Sequence, residues 1–440
     1  SLRRDGSYRF SPANRWGYFP AISGGWRISE EPFFANNVKF MDLLKLRASF
    51  GVTGNDAVGG YQWYDKATNA GSYVLGETPA ANPGIRYGGS YQDSKYVWHS
   101  YDIANKNLTW EKSRSYNFGI DARFFKSLNF TAEYWMRHTY DILGQRQKAL
   151  PGTFGAQLPD ENYGQVDSRG IELELGYDGQ IGKQFSFYVR GNVAYATNKI
   201  IKQDVAENTR EVDNPVGRPL DYVKGLVVTD MIRTQADLDK IPGTYTIYGV
   251  KPQLGMYNYQ DVSGPGGKPD GIIDDFDNQV ISNYSWSPYT AGLNLGGSWK
   301  GFSVDVFFQG VAGGKKLYND VTAGRGFNVD HAPSIWLDRW TPETPNGRFP
   351  HPVDGWFPDQ LNSTFWLYNT SYARLKNATV SYTIPRKLNQ KLNVQKIQVY
   401  LSGTNLFRIS DNSFDFDVEL NGPTSYPVMK TFTAGLNITL

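Results

Sequence analysis

Apolar and polar side chains alternate along several stretches of the chain, most clearly near its C-terminus. The apolar positions there are Phe432, Ala434, Leu436, Ile438 and Leu440, and the positions between them are Thr431, Thr433, Gly435, Asn437 and Thr439. Successive side chains of a β-strand point to opposite faces of the sheet. The alternation therefore predicts a strand with one apolar face and one polar face.

Segments of this kind recur along the whole chain. Eleven are centred near Ser23, Ala48, Ile120, Ala132, Leu173, Gly191, Leu293, Val306, Ser381, Leu401 and Leu436. Many approach the length of about 9 to 11 residues that a tilted strand needs to cross a bilayer. Strands of soluble sheets are commonly about five or six residues long. The length of the segments favours strands that span a membrane.

The connections between these segments alternate in length. Short ones run from Lys126 to Ser127, Gly179 to Lys183, Lys300 to Gly301 and Pro385 to Lys396, with a moderate one from Ser29 to Asp42. Long ones run from Thr53 to Ser113, Gln145 to Gly164, Ile201 to Pro288, Ala312 to Ser371 and Ile409 to Met429. Short turns on one side and long loops on the other are typical of outer-membrane barrels, whose long loops lie outside the cell. We therefore predict an all-β, transmembrane antiparallel β-barrel with long extracellular loops.

The composition agrees with membrane crossing by strands. The mean hydropathy is -0.50, and no run approaches the roughly 18 apolar residues of a membrane-spanning helix. Aromatic residues lie near predicted strand ends, where a bilayer interface would place them, at Trp16, Tyr18, Trp26, Phe125, Tyr177 and Trp299. The alternative is a soluble β-sandwich or β-helix, whose strands also alternate.

Charge and cysteine content exclude several other classes. The 45 basic and 43 acidic residues give a net charge of +2, which indicates no nucleic-acid footprint. The chain has no cysteine, so disulfide frameworks and thiolate metal sites are excluded. Ser1 is followed by no apolar signal segment, so an exported protein would have lost its beginning.

An odd number of strands predicts an incomplete barrel. Eleven antiparallel strands would bring the first and last strands together in parallel, which bacterial single-chain barrels avoid. Twice this number is about the 22 strands of the large plugged outer-membrane transporters. We therefore expect residues 1–440 to form about the C-terminal 11 strands of a 22-strand barrel.

Several local motifs resemble those of one known family. They are Arg3-Arg4-Asp5-Gly6-Ser7, Asn14-Arg15-Trp16-Gly17-Tyr18-Phe19-Pro20, Trp26-Arg27-Ile28-Ser29-Glu30-Glu31, Leu46-Arg47-Ala48-Ser49-Phe50-Gly51-Val52-Thr53-Gly54-Asn55, Leu108-Thr109-Trp110-Glu111, Arg169-Gly170-Ile171-Glu172, Asp338-Arg339-Trp340-Thr341-Pro342 and Tyr400-Leu401-Ser402-Gly403-Thr404-Asn405-Leu406. In these motifs the sequence resembles the C-terminal portion of the SusC/RagA family of TonB-dependent outer-membrane transporters. The resemblance spans Arg3 to Leu440.

The resemblance implies a function in nutrient uptake. Such proteins import oligosaccharides or peptides across the bacterial outer membrane, are energised by the TonB complex, and work with a SusD-like surface lipoprotein. It also implies that residues 1–440 are the C-terminal half of the barrel. The plug domain, the first half of the barrel and the N-terminal part that contacts TonB would lie outside this sequence. Two other functions remain open: a surface carbohydrate-binding or adhesive β-protein that never enters lipid, and a passive porin.

An acidic loop before the seventh predicted strand resembles a calcium loop. Calcium loops of the EF-hand kind use oxygen ligands at positions 1, 3, 5, 7, 9 and 12, with glycine at position 6. Gly271 fits position 6, and the candidate ligands are Asp261, Ser263, Asp270, the carbonyl of Ile272, Asp274 and Asp277. Residues 264–269 replace the single residue that normally separates positions 3 and 5. The two interpretations are therefore a structural Ca²⁺ or Mg²⁺ site and an ordinary acidic turn.

Other side chains indicate binding rather than catalysis. The sequence contains no G-x-S-x-G, P-loop or H-E-x-x-H motif, so we predict that the chain is not an enzyme. The histidines His99, His138, His331 and His351 are scattered singly. Glu172 and Glu174 share one strand face and are interpreted as charges of the barrel interior. The tryptophans Trp63, Trp98, Trp286, Trp336, Trp340, Trp356 and Trp366 fall in predicted external loops, where they either stack on sugars and peptides or pack the loops.

Overall fold

The computed structural model describes residues 1–64, 66–69, 85–86, 97–146, 158–318, 334–351, 358–391, 394–411, 414, 416–420, 422 and 425–439, with the backbone alone for 66–69, 85–86, 97–102 and 391. Its main feature is a sheet of twelve strands in which each strand pairs with its sequence neighbours. The strands are β1 (Leu2–Gly6), β2 (Trp16–Arg27), β3 (Met41–Asn55), β4 (Glu111–Phe124), β5 (Leu128–Gln145), β6 (Asp160–Ile181), β7 (Phe185–Lys202), β8 (Tyr289–Trp299), β9 (Phe302–Ala312), β10 (Tyr372–Thr383), β11 (Lys396–Ser410) and β12 (Thr431–Thr439). All their pairings are antiparallel.

The eleven predicted strands are β2 to β12, and the prediction of each is confirmed. The predicted number of strands was one too low, because β1 was missed. Its sequence Leu2-Arg3-Arg4-Asp5-Gly6 carries charges at three successive positions and no apolar alternation. The strand forms by pairing in register with residues 16–20 of β2. The described sheet is therefore even-numbered, and the argument from an odd count does not apply.

The two faces of the sheet differ as the alternation predicts. On β4, Tyr116, Phe118 and Ile120 are 39%, 50% and 41% exposed, whereas Asn117 between them is half-buried and Gly119 is buried. The register places Ile120, Ala132, Leu173 and Val193 in one row across β4 to β7. An uncovered apolar face of this size is unfavourable in water, but it matches the hydrocarbon of a bilayer.

No helix of the described residues is long and apolar enough to span a membrane. The α-helices are Pro32–Ala35, Gln235–Leu238 and Arg386–Lys391, and the 3-10 helices are Ile28–Glu30, Asp275–Asp277, Ser334–Asp338, Pro358–Gln360 and Thr364–Trp366. Three of these helices, Ile28–Glu30, Pro32–Ala35 and Arg386–Lys391, lie in connections at the end of the sheet that carries the short turns. We call this the periplasmic end, and the opposite end the extracellular end.

The long connections at the extracellular end fold back into structured units. Short strands pair between Val223–Gly225 and Gln279–Ser282, Val228–Met231 and Tyr257–Tyr259, Thr246–Ile247 and Ile272–Ile273, and Lys315–Leu317 and Leu367–Asn369. Lys66–Asn69, Ile85–Arg86 and Val97–Asp102 form a further small sheet. These stretches were predicted only as long loops, so their internal structure is an addition to the prediction.

Three clusters of buried side chains stabilise the structure at this end of the sheet. The first loop cluster consists of Leu226, Met231, Ile232, Tyr245, Ile247, Met256, Tyr257, Tyr259, Ile273 and Trp340. The second consists of Tyr318, Trp336, Phe349, Trp366, Tyr368, Phe414, Phe416 and Val418, and the third of Phe10, Phe19, Val58, Leu108 and Trp110. Phe365 packs against both the first and the second cluster, so these two form one continuous core.

Candidate ligand-binding surfaces

The interior face of the sheet carries paired charges. Arg47 of β3 lies 3.3 Å from a carboxylate oxygen of Asp121 on β4 and 2.7 Å from one of Glu133 on β5. Asn117 donates a hydrogen bond to the same Glu133 carboxylate. Charges are stable at membrane depth only where they are paired or hydrated. This network therefore marks the face that meets water or other protein inside the barrel.

Further along the same face lie two glutamates that the sequence assigned to the interior. Glu172 is in register with Glu133 and Ala194, and it accepts a hydrogen bond of 3.0 Å from the indole N–H of Trp135. Glu174 is two residues further on the same strand and in register with Thr131. The structure places both on the polar face, in agreement with the interpretation as interior charges.

Three of the external tryptophans pack the loops. Trp336 and Trp340 are 4% exposed and Trp366 is fully buried. Trp366 stacks on Phe414 at 6.0 Å between ring centroids, and its indole N–H donates to the carbonyl of Asp359 at 2.6 Å. These rings stabilise the first and second loop clusters and present no open face to a ligand. Trp98 and Trp356 fall outside the side chains that the structure describes.

Asp359 is a carboxylate buried between the first and second loop clusters. It is 2% exposed, and its Oδ1 accepts hydrogen bonds from the backbone N–H of Tyr257 at 2.9 Å and the hydroxyl of Tyr259 at 3.3 Å. Burial raises the pKa of Asp359 to about 7, because these two hydrogen bonds only partly offset the loss of solvation. The protonation state of this group therefore changes near neutral pH.

An ion-pair network ties a loop to the sheet. Arg374, at the extracellular end of β10, is 3% exposed and pairs with Asp417 and with Glu419 in the connection between β11 and β12. Arg408 of β11 lies 3.0 Å from Asp417, and Lys376 pairs with Glu419. Burial by itself would raise the pKa of Asp417, but the ion pairs bring that pKa below its ordinary value. The network holds this connection against the sheet.

The four carboxylates among the six candidate metal ligands accept hydrogen bonds from backbone N–H groups of their own loop. Asp277 is fully buried and accepts the N–H groups of Val262, Ser263 and Asp274 at 2.8, 3.2 and 3.0 Å. The remaining carboxylates accept nearby N–H groups: Asp261 from Gly271 at 2.7 Å, Asp270 from Ile272 at 3.0 Å and Asp274 from Phe276 at 2.7 Å. The described residues contain no group of three or more acidic or histidine side chains arranged to hold a metal ion.

Two features of this acidic loop keep the cation prediction open. Gly271 has φ of +81°, the left-handed conformation that position 6 of a calcium loop requires. Asp261 Oδ1 is buried and has no hydrogen-bond partner among the described residues. Burial raises the pKa of Asp277, and the hydrogen bonds from backbone N–H groups offset this increase only in part. Binding of Ca²⁺ or Mg²⁺ stays a prediction.

An exposed aromatic surface lies at the extracellular end beside the third loop cluster. Tyr8, Tyr61 and Tyr64 are 57%, 53% and 63% exposed. Trp63 joins them, with ring centroids 6.4 Å from Tyr61 and 5.8 Å from Tyr64, and its indole N–H donates to the carbonyl of Tyr8. We call these four residues the aromatic surface. Only Trp63 was selected from the sequence. The density of aromatic residues in Tyr61-Gln62-Trp63-Tyr64 would have indicated Tyr61 and Tyr64, but no local signal indicated Tyr8.

Another external loop carries an exposed tryptophan that lies outside the aromatic surface. Trp286 is 63% exposed, and the ammonium of Lys316 lies 3.6 Å from its ring centroid. Burial lowers the pKa of Lys316. The two described histidine side chains lie elsewhere: His138 bonds Asp167 at 2.5 Å, and His351 packs beside Trp340. His99 and His331 lie outside the described side chains.

Comparison with known proteins identifies relatives of this architecture. The family model "TonB dependent receptor-like, beta-barrel" matches residues 1–406. TonB-dependent receptor P3 of Formosa agariphila is 26% identical over 464 residues, which cover 100% of this chain and 43% of that protein. TonB-dependent receptor SusC of Bacteroides thetaiotaomicron is 24% identical and covers 100% of this chain and 41% of SusC.

A solved structure shares the fold. The RagAB peptide transporter matches with a TM-score of 0.75 at 23% identity, over 100% of this chain and 45% of that chain. The chain therefore spans less than half the length of these relatives. Together the matches confirm the predicted resemblance, the β-barrel fold class and the outer-membrane location.

Proposed function

Because the chain belongs to the TonB dependent receptor-like β-barrel family, we propose that it forms part of an outer-membrane importer driven through TonB. Proteins of this family cross the outer membrane with strands. The importer would combine this sheet with the rest of its barrel and with a plug domain. Its energy would come from the TonB complex through an N-terminal part outside this sequence.

The observation that carries the proposal is the different chemistry of the two faces and two ends of one sheet. One face is apolar along β4 to β7, and the other carries the Arg47 network. Folded loop clusters lie at the extracellular end alone among the described parts of the chain. A water-accessible interior below a structured external entrance suits the passage of a bulky polar solute.

The proposed cargo is an oligosaccharide or a peptide. The exposed rings of the aromatic surface, with Trp286, would stack on sugar rings or on peptide side chains. One structural relative is described as a peptide importer, RagAB, and one sequence relative is SusC. As the resemblance implies, a SusD-like surface lipoprotein would cover the external entrance and deliver the cargo.

Uptake measurements in the native organism test the import proposal. Deleting the full gene should abolish uptake of one class of oligosaccharide or peptide, and deleting tonB should give the same loss. Uptake that persists without TonB would indicate a passive porin instead. If the gene deletion removes surface binding but leaves uptake intact, the chain is an adhesive or carbohydrate-binding protein.

Paired variants of the full-length protein test the aromatic surface. Tyr8→Ala together with Tyr64→Ala should weaken cargo binding by about tenfold or more, since each stacking contact contributes about 0.5–1.5 kcal/mol. Tyr426→Ala is the matched control, because Tyr426 is an external tyrosine that is 79% exposed and lies outside this surface. Equal binding by the double variant and the control would remove the aromatic surface from the proposal.

A further inference from the structure

On the lipid-facing side of β4 to β7, the side chains change from apolar to cationic at one level near the extracellular end. On β6 the outward residues Ile171, Leu173, Leu175, Tyr177 and Ile181 are all exposed and apolar. From Ile171 to Ile181 this stretch covers about the 9 to 11 residues that cross a bilayer. The next outward residue toward the extracellular end is Arg169, and it is exposed. Arg169 therefore lies where the hydrocarbon of the outer leaflet meets its headgroups.

Neighbouring strands change in the same way at the same height. On β7 the outward positions Val193 and Tyr195 are followed by Thr197 and Lys199, and on β4 Phe118 and Tyr116 are followed by Arg114. The register places Arg114, His138, Asp167 and Lys199 in one row across four strands, and Arg169 in the adjoining row. The cationic residues therefore form a compact group on the outer surface.

Most of this positive charge is unneutralised. Arg169 and Lys199 make no ion pair with any residue that the structure describes, and the guanidinium of Arg114 lies 4.5 Å from the ring centroid of Tyr140. The one carboxylate in the row, Asp167, is bonded to His138. Exposed cations at a membrane surface attract anionic lipid headgroups.

A pocket of about 750 Å³ lies at this position. Its lining includes the outward side chains of Tyr116 and Met136, the cations Arg169 and Lys199, the hydrogen-bonded pair His138 and Asp167, and Pro219 and Tyr284 of the external connection between β7 and β8. The Tyr284 hydroxyl lies 2.8 Å from Thr197 Oγ1, which fixes that connection over the outward face. Apolar side chains on the bilayer side with cations above them match the two parts of a lipid.

We propose that this pocket binds the phosphate-bearing headgroup of an outer-leaflet lipid. Arg169 and Lys199 donate charge-assisted hydrogen bonds to the phosphate oxygens, and Tyr116 and Met136 contact the upper part of the acyl chains. Arg114 adds positive charge at the edge of the pocket. The bound lipid would fix the depth of this part of the barrel in the bilayer.

Native mass spectrometry of the delipidated full-length protein in detergent tests this assignment. The probes are diphosphorylated lipid A, phosphatidylcholine and inorganic phosphate. Lipid A should bind wild type with a Kd lower by at least about tenfold than that of the double variant Arg169→Gln and Lys199→Gln, because two surface cations are lost. The matched control is Arg386→Gln with Lys387→Gln, two exposed cations of the helix at the periplasmic end. The control should bind like wild type.

Three results would overturn the proposal. The first is an unchanged lipid A affinity in the double variant, and the second is an equal loss in the control. The third is displacement of lipid A by equimolar inorganic phosphate, which would indicate a site for a free anion. Weaker binding of phosphatidylcholine than of lipid A is expected, because its headgroup carries no net charge. Migration of unheated samples on denaturing gels verifies that each variant is folded.

Discussion

Replacing Asp359 with Asn should remove most of the pH dependence of stability where the first and second loop clusters meet. Asp359 is 2% exposed, and its Oδ2 has no hydrogen-bond partner among the described residues. Burial raises its pKa to about 7. In an unfolded loop the same carboxyl would titrate near its ordinary value of about 3.9. The folded state therefore holds a proton that the unfolded state has lost between these two pH values.

The sign and size of the effect follow from this difference. Because the folded pKa is raised, the contribution to stability is fully present below about pH 4 and is lost as the pH rises toward about 7. A difference of about 3 between the two pKa values, at about 1.4 kcal/mol for each, corresponds to about 4 kcal/mol. This is comparable with the loss of a large buried side chain from a core.

Hydrogen exchange of the full-length protein in detergent measures this effect locally. After correction for the intrinsic pH dependence of exchange, protection of the amides of Tyr257 and Tyr259 should fall between about pH 4 and 7 in wild type. Asp359→Asn keeps the Oδ1 acceptor for both tyrosines but cannot ionise, so its protection should be nearly flat. Asp239→Asn, at an exposed position of the connection between β7 and β8 that also contains Tyr257 and Tyr259, should behave like wild type. Equal slopes in wild type and Asp359→Asn, or wild-type protection that rises with pH, would refute the reasoning.

Three further predictions concern the sheet and its loops. Val306→Arg places a cation on the lipid-facing side of β9 and should cost about 2–4 kcal/mol in denaturant unfolding from liposomes, whereas Asp305→Ala on the interior face should be mild; similar costs would contradict the assigned faces. Arg374→Met leaves Asp417 without its buried partner, so the connection between β11 and β12 should be cleaved at least about tenfold faster in limited proteolysis, and an unchanged rate would argue against the tether. If the acidic loop binds Ca²⁺, millimolar Ca²⁺ should raise the melting temperature of that loop in wild type but not in Asp277→Asn; a calcium response in both, or in neither, would leave the loop as an ordinary acidic turn.

The strands were predictable because their signal is local and long. Lipid requires an apolar side chain at every second position over the whole crossing. The sequence around Leu173 and Leu436 therefore shows which side chains face lipid. Their full lengths were less predictable. β6 extends over 22 residues, Asp160–Ile181, because antiparallel pairing continues above the bilayer, where no alternation is needed. There the predicted loop from Gln145 to Gly164 was too long at its C-terminal end.

The candidate sites, like the strands, were predictable only in part. The aromatic residues of the external loops were visible in the sequence, but their burial was not. Trp340 and Trp286 each lie between two polar residues and two positions before a proline, yet Trp340 is 4% exposed and Trp286 is 63% exposed. Residues of the β7–β8 connection and of the β9–β10 connection meet in the first loop cluster, for example Leu226 and Trp340. Contacts between such distant segments leave no periodic trace, so the sequence indicated loops where the structure has cores.

The sequence by itself determined the crossing strands, their order, the face that each side chain takes, and the side of the membrane that carries long loops. The strands and their faces follow from period-two alternation, which a strand imposes on its own residues without reference to any other part of the chain. The side of the long loops follows from the alternating lengths of the connections. Only the tertiary structure decided the pairing of β1 with β2, the loop clusters, the raised pKa of Asp359 and the cationic row of Arg114, His138, Asp167 and Lys199. Each of these depends on residues that are far apart in the chain and meet through register or packing, and that information is absent from any single segment.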